Sequence, residues 1–192
     1  MAKLPEILNT TLIARSRFFA VEELQLRFAN GVERTYERLR PGSIPAVMVV
    51  ALADDDTVLL IREYGAGVEA YELGFPKGAL EPGETLEEGA LRELQEETGF
   101  GAREFTVLKT VTLSPGYMGH RLTIVLAEGL YPSRLEGDEP EPIEVVPMAL
   151  SALDDWVWRE DFTEARSLAA LYMVRDIVRA RRAAAAAGAD AG

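Results

Sequence analysis

The stretch that decides the fold is Gly78–Phe100, GALEPGETLEEGALRELQEETGF. Within it, Thr85 to Thr98 reads as one helix. Thr85 is a good N-cap, Glu88 three residues later completes a capping box, and Gly99 supplies a C-terminal stop. At about 100° per residue, Glu93, Glu96 and Glu97 fall within one sector of that helix. Carboxylates so placed repel, and a helix tolerates them most easily around a cation. Oxygen-only ligation points to Mg2+, with Mn2+ as its substitute. Gly89 lies in the same sector and leaves room for a metal cluster or substrate phosphates. Leu86, Ala90, Leu91 and Leu94 cover an adjoining sector that would anchor the helix to a sheet. The preceding loop, Gly78 to Gly83, contains Pro82 and can turn tightly. Glu84 and Arg92 can tie that loop to the helix through charge-assisted hydrogen bonds.

Upstream, Asn30-Gly31 separates Val21–Phe28 from Val32–Arg38 and predicts a hairpin. Pro41-Gly42 ends that unit. The apolar, Val-rich run from Ala46, AVMVVALA, reads as a buried strand. Asp54-Asp55-Asp56 is a turn, and Val58–Arg62 is the returning strand. Downstream, Val107–Leu113 and Leu122–Ala127 read as strands. RLEGDEPEPIE is too rich in Pro and Gly for a regular element. Ile143–Val146 predicts a short strand, Ser151–Trp158 a short helix, and Phe162–Arg182 a longer helix. The tail AAAAAGADAG has no face to bury and is expected to be frayed or disordered. The order implies a mixed α/β (α+β) sandwich with an N-terminal antiparallel hairpin. The expected division is a hairpin extension over 1–45, a core domain over 46–182 and a tail over 183–192.

The chain has 192 residues, enough for one domain with a small appendage. Its formal net charge is −12. Such a surface repels nucleic-acid backbones, so no nucleic-acid partner is expected. No Cys is present, which excludes disulfides, zinc–thiolate sites and cysteine nucleophiles. The single histidine, His120, rules out a multi-histidine metal site. No apolar run approaches the roughly 20 residues of a membrane span, and the N-terminus lacks the apolar core of a secretory signal. A cytoplasmic enzyme is the default expectation. The acidity is local. Gly78–Phe100 holds seven acids against one arginine, and Arg134–Glu144 holds five against one. Phosphate-rich small molecules would need divalent cations to bind there.

Gly78–Phe100 resembles the Nudix box: Gly, five residues, Glu, seven residues, then Arg-Glu-apolar-any-Glu-Glu-any-Gly-apolar. Gly78, Glu84, Arg92, Glu93, Leu94, Glu96, Glu97, Gly99 and Phe100 fill all nine specified positions. The resemblance implies an α/β/α sandwich with a mixed sheet, carrying the box as loop–helix–loop. It also implies divalent-cation-dependent cleavage of nucleoside diphosphates linked to another moiety. By position it makes Glu93 and Glu97 the main metal ligands, with Glu96 assisting and the Lys77 backbone carbonyl as a further ligand. Arg92 would orient the glutamates, and Glu84 would hold the loop.

LIREYGAGVEAYELGFPKG before the box and SPGYMGHR after it extend the likeness. Pro115 stands sixteen positions after Gly99, where Nudix enzymes acting on ADP-ribose carry a proline. Tyr117 is close to where dinucleoside polyphosphate hydrolases carry a tyrosine. Nearly the whole chain, from ARSRFFAVEELQLRFANGVERTYERLRP through LYPSRLEGDEPEP to DFTEARSLAALYMVRD, is similar to the NudE-type ADP compounds hydrolases, near the ADP-ribose pyrophosphatases. That likeness implies AMP release from ADP-ribose, NADH or diadenosine di- and triphosphate. It also implies a homodimer, with the N-terminal hairpin as a candidate dimerisation element. In ADP-ribose pyrophosphatases the general base resembles a glutamate on a mobile loop. The matching region is Glu136–Glu141, with Glu139 in that place and Glu141 next.

Two departures bear on the adenine and ribose contacts. Gly65 stands where those enzymes often carry a second arginine, and Glu72-Leu-Gly-Phe-Pro-Lys-Gly78 replaces a shorter approach to the box. Further candidates each have a plainer alternative. Arg62 is a phosphate contact or a surface ion pair. The Lys77 side chain is a phosphate contact or a bystander. Phe75, Tyr71 and Tyr117 are adenine-stacking rings or core. His120 is a surface or structural residue near the Pro115–Tyr117 loop. Two competing functions remain. One is a housecleaning pyrophosphatase for nucleoside triphosphates or mRNA caps, against which Pro115 and the length of the likeness argue. The other is a non-catalytic module binding an ADP ligand, against which the complete box argues.

Overall fold

The computed structural model describes residues 3–40, 42 and 44–189, so the turn expected at Pro41 lies outside the described residues. The chain forms two compact units. The first joins Met1–Ser43 to Thr112–Arg121. It holds an antiparallel sheet of β1 (Glu6–Arg15), β2 (Ala20–Arg27) and β3 (Glu33–Leu39), in that order. The expected hairpin is β2–β3. Asn30 Oδ1 accepts the Val32 N–H at 3.1 Å, and Gly31 takes φ +82°, a region glycine enters without steric cost. Strand β1 has no counterpart in the sequence reading. All of its residues are exposed, so no buried face imprints a period of two on it. Glu22 is buried on β2 and accepts from Arg38 Nη2 at 3.0 Å and Arg40 Nε at 2.6 Å. The Leu39 N–H donates to the Tyr117 carbonyl at 2.8 Å, which ties the turn carrying Pro115 and Tyr117 to β3.

The second unit contains β4 (Ala46–Leu52), β5 (Thr57–Gly65), β6 (Ala70–Gly74), β7 (Lys77–Ala79), α1 (Leu86–Thr98) and β8 (Phe100–Gly101). There follow β9 (Glu104–Thr112), β10 (Arg121–Glu128), β11 (Tyr131–Pro132) and β12 (Glu144–Ala149), then α2 (Leu153–Trp156) and α3 (Ala165–Ala189). The main sheet runs β12-β5-β4-β10-β9, with β6 paired to β5 and β7 to β4. It is mixed, as expected: β4 and β10 are parallel, whereas β5 pairs antiparallel with β4, β6 and β12. Strands β4 and β5 pair only at Ala51↔Leu59 and Leu52↔Val58 and then separate. The β6–β7 excursion fills the gap, and the Pro76 carbonyl accepts the Val49 N–H at 2.8 Å. This split sets Lys77 beside α1.

Alternation along β4 builds the layers. Val47, Val49 and Ala51 join Ala90 and Leu94 of α1 in one apolar cluster. Met48, Val50 and Leu52 join Leu171, Val174 and Val178 of α3 in another. The core unit is therefore an α/β/α sandwich.

The capping box at Thr85 is present as read: Thr85 Oγ1 accepts the Glu88 N–H at 3.2 Å, and Glu88 Oε2 accepts the Thr85 N–H at 2.8 Å. Gly99 closes the helix with φ +78°. The longer helix starts at Ala165 rather than Phe162, because the Glu164 carboxylate caps it, accepting the Ser167 N–H at 2.8 Å. The tail expected to be frayed continues this helix through Ala189, consistent with alanine's high helix propensity once packing has nucleated the helix. Among the described residues, no helix is long and apolar enough to cross a membrane.

Thr85→Ala removes one half of the capping box. It should lower stability by about 1 kcal/mol and the thermal midpoint by roughly 2–4 °C. A thermal scan showing no shift would contradict the role given to this cap.

Candidate active site

The Arg92 guanidinium organises α1 and its entry loop. Its Nε donates to Glu84 Oε1 at 2.9 Å, and Nη2 donates to Glu84 Oε2 at 3.1 Å and to the Ala79 carbonyl at 3.0 Å. Its Nη1 donates to Glu93 Oε1 at 2.7 Å and to Glu96 Oε2 at 3.0 Å. Glu84 also accepts the Glu81 N–H at 2.8 Å, which fixes the tight turn of the loop. The hydrogen bond from Arg92 holds the Glu84 carboxyl below its ordinary range.

Glu93 and Glu97 are each only 7% exposed. Burial pushes the Glu93 carboxyl up, against the hydrogen bond and charge of Arg92. Glu97 is pushed up to about 8, by burial first, with Lys77 opposing and Glu93 and Glu63 adding to it. The Lys77 N–H donates to its Oε2 at 3.1 Å. Gly78 makes this arrangement possible. A Cβ there would fall 2.1 Å from Glu93 Oε1, so any side chain would displace that carboxylate. Gly89 has a different use from the one expected. A Cβ on it would meet Leu80 Cδ2 at 2.2 Å, so the space serves loop packing rather than phosphates.

A cavity of about 780 Å³ opens over these groups. It is lined by Lys77, Arg92, Glu93, Glu96 and Glu97 on one side and by the loop of residues 134–143 on the other. Glu139 and Glu141 both lie on that loop. Burial, then the nearby Glu63 and Asp138, push the Glu139 carboxyl up, with Lys77 opposing. Glu141 accepts a short hydrogen bond from the Tyr71 hydroxyl.

The donor set lining the cavity fits a hard divalent cation: carboxylate oxygens of Glu93, Glu96 and Glu97, with no sulfur or imidazole. Among the described residues, no three acidic or histidine groups are drawn together as a ready-made cage. Arg92 Nη1 lies between Glu93 and Glu96 and supplies the positive charge in their place. Glu93 and Glu97 are both buried and held above their ordinary range, and a metal ion would favour their ionised form.

The remaining candidates separate. Lys77 lines the cavity, with its ammonium 2.6 Å from Glu63 Oε2. Arg62 donates to Glu144 Oε2 and to Asp161 Oδ2, each at 2.8 Å, and Asp161 is bound in turn by Arg159 at 2.8 Å. Phe75 is fully buried in the apolar cluster shared with α3, so its alternative reading as core holds and adenine stacking is excluded. Its N–H donates to the buried Ser167 hydroxyl at 3.1 Å. Pro115 and Tyr117 lie in the N-terminal unit. The sequence reading missed Glu63. The signal was strand alternation, which turns Glu63 to the face opposite Arg62 and so toward Lys77.

A profile described as the NUDIX domain matches residues 42–170, and one described as the NudE-type Nudix hydrolase N-terminal domain matches residues 5–38. The chain is 51% identical over 172 residues to ADP compounds hydrolase NudE of Escherichia coli, covering 90% of this chain and 92% of that protein. It is 32% identical to an ADP-ribose pyrophosphatase of Bacillus subtilis, covering 74% of this chain and 80% of the relative. A solved structure titled as an ADP compounds hydrolase superposes with a TM-score of 0.88 at 48% identity, covering 94% of this chain and 97% of that one. The filled box on α1, the three-layer core and these matches agree, and the chain belongs to the Nudix hydrolase family.

Proposed function

We propose that this chain hydrolyses the pyrophosphate bond of ADP-containing compounds such as ADP-ribose, NADH or diadenosine di- and triphosphate, releasing AMP, with Mg2+ as its cation and Mn2+ as a substitute. The observation that carries this reading is the cavity bounded by the box glutamates and the acidic loop. Its volume, about 780 Å³, falls within the ordinary range for small-molecule sites. The relatives named for ADP compounds and ADP-ribose support the substrate class.

Glu93, Glu97 and Glu96, with the Lys77 carbonyl, would hold the cation. Bound there, it would neutralise the diphosphate and acidify water. Arg92 keeps Glu93 and Glu96 aimed at one place, and Glu84 keeps Arg92 aimed in turn. Glu139 takes the proton from the attacking water. Its raised proton affinity brings it closer to the working pH, as a base requires. The water oxygen bonds to one phosphorus, and the bridging P–O bond breaks. Glu141 is the runner-up for the base. Lys77 has the strongest support as a substrate contact, because it lines the cavity. Arg62 has the weakest, because two acids hold its guanidinium. Pro115 and Tyr117 rest on the resemblance alone.

A homodimer belongs to the same proposal. Strand β1 is an edge strand with exposed Ile7, Leu8, Leu12 and Ile13, a surface that seeks a partner. Light scattering should give twice the chain mass of 21.1 kDa, and a monomer at working concentration would remove this part. We place the activity in the cytoplasm, a reading that the cysteine-free composition supports.

A Mg2+-supported panel scored by product identity tests the activity. AMP should appear from ADP compounds and stop on chelation. A faster rate on a nucleoside triphosphate would overturn the substrate class, and no AMP from any ADP compound would overturn catalysis itself. Glu139→Gln should lower kcat by about 10²–10⁴-fold with the fold intact. Near-normal turnover would move the base to Glu136, Glu141 or a box glutamate.

A further inference from the structure

Two glutamates of one loop, Glu139 and Glu141, line the same cavity. The structure treats them differently. Glu141 is bound by the hydroxyl of Tyr71, whereas Glu139 lies among Glu63, Asp138 and Lys77. Tyr71 sits on β6, in register with Tyr64 of β5. The two rings meet edge-on, with centroids 5.5 Å apart and planes at 63°. Both remain about half exposed, at 49% and 51%. Tyr71 is thus a fixed post on a sheet strand, with its hydroxyl committed to the loop.

The other end of the loop is also fixed. The Ser133 N–H donates to the Gly99 carbonyl at 3.0 Å, and Gln95 Nε2 donates to Ser133 Oγ at 2.6 Å. The Leu135 N–H reaches the Gln95 carbonyl at 3.4 Å. Gly137 lies against Glu96, where a Cβ would stand 3.5 Å from that of Glu96. The loop is therefore fastened to the end of α1 at its start and to β6 near its finish.

The sequence between the two glutamates is stiff. Glu139-Pro140-Glu141-Pro142 holds two prolines, each of which locks its own φ and restricts the residue before it. Few soft torsions separate the two carboxylates, so fixing Glu141 also limits where Glu139 can stand. A loop fastened only at Ser133 would leave Glu139 six residues from its anchor.

We propose that Tyr71 is a positioning residue for catalysis: by holding Glu141 it sets the Glu-Pro-Glu-Pro segment so that Glu139, and not Glu141, faces the reacting water. Glu141 is then a strap that needs only to accept a hydrogen bond. This inference rests on the reading of Glu139 as the base, and the test separates the two.

The experiment measures kcat and KM on ADP-ribose with saturating Mg2+ for Tyr71→Phe, Glu141→Gln, Glu139→Gln and the double variant Tyr71→Phe/Glu139→Gln, with thermal midpoints alongside. Tyr71→Phe should lower kcat about 10- to 100-fold, the loss that a misplaced catalytic group gives, while KM and the midpoint stay near the parent values. Glu141→Gln keeps an acceptor for the Tyr71 hydroxyl, so its loss of kcat should be shallower than that of Tyr71→Phe. The double variant should be no slower than Glu139→Gln alone, because two residues acting through one group are not additive. Normal kcat in Tyr71→Phe, a rise in KM alone, or a multiplied loss in the double variant would each overturn the proposal. A Glu141→Gln loss as deep as that of Glu139→Gln would also overturn it and make Glu141 catalytic. Normal turnover in Glu139→Gln would instead remove the base assignment beneath it.

Discussion

The five N–H donors of Arg92 are divided among Glu84, Glu93, Glu96 and the Ala79 carbonyl, and the rest of the site follows from that division. Two carboxylates about 4 Å apart repel by roughly 4 kcal/mol at an effective dielectric near 20. One guanidinium shared by three of them offsets much of that repulsion, and its fixed fork sets their directions. Glu97 is left out of the sharing. It is buried one helical turn beyond Glu93, with the Lys77 N–H on one oxygen. Burial accordingly pushes its carboxyl up to about 8, with the Lys77 charge opposing. Ionising Glu97 would add a buried negative charge to the box, and a bound cation would offset it.

The core sheet determines where that charge stands. Because β4 and β5 separate after two residue pairs, β6 and β7 can enter between them and carry Lys77 to the side of α1. Fully paired β4 and β5 would leave no gap for β7, and Glu97 would lose its backbone donor. The Phe75–Pro76 link at the split is held from both sides, by Ser167 on α3 and by Val49 on β4. The apolar face of α1 then fixes the helix rotation, with Ala90 and Leu94 buried against the sheet and Glu93 and Glu97 toward the cavity.

Much of this was legible in the residues. The box helix, its cap at Thr85, its stop at Gly99 and the buried strand from Ala46 depend on local rules, and they stand where the sequence places them. What was not legible depends on distant contacts. Strand β1 buries nothing within the chain, so it carries no pattern to read. The ion pairs of Arg62 join residues up to 99 positions apart. Gly89 was assigned to the wrong neighbour because the packing of Leu80 is tertiary. The sequence ranked Glu139 ahead of Glu141 by position, but the hydrogen bond from Tyr71 to Glu141, 70 residues away, leaves no local trace to read.

In the proposed function it is the buried carboxylate of Glu97 that would draw the cation. A raised folded-state pKa has a definite sign. Burying Glu97 costs more stability as the pH climbs from the ordinary carboxylate range toward about 8, and a bound cation, which prefers the ionised form, must expel the proton. The direct measurement is calorimetric titration of Mg2+ alone into the protein at pH 7, in two buffers of different ionisation enthalpy. We expect release of roughly one proton on binding, an affinity that rises with pH and levels off above about 8, and loss of that release in Glu97→Gln. Heats that do not depend on the buffer, or proton release that persists in Glu97→Gln, would contradict it.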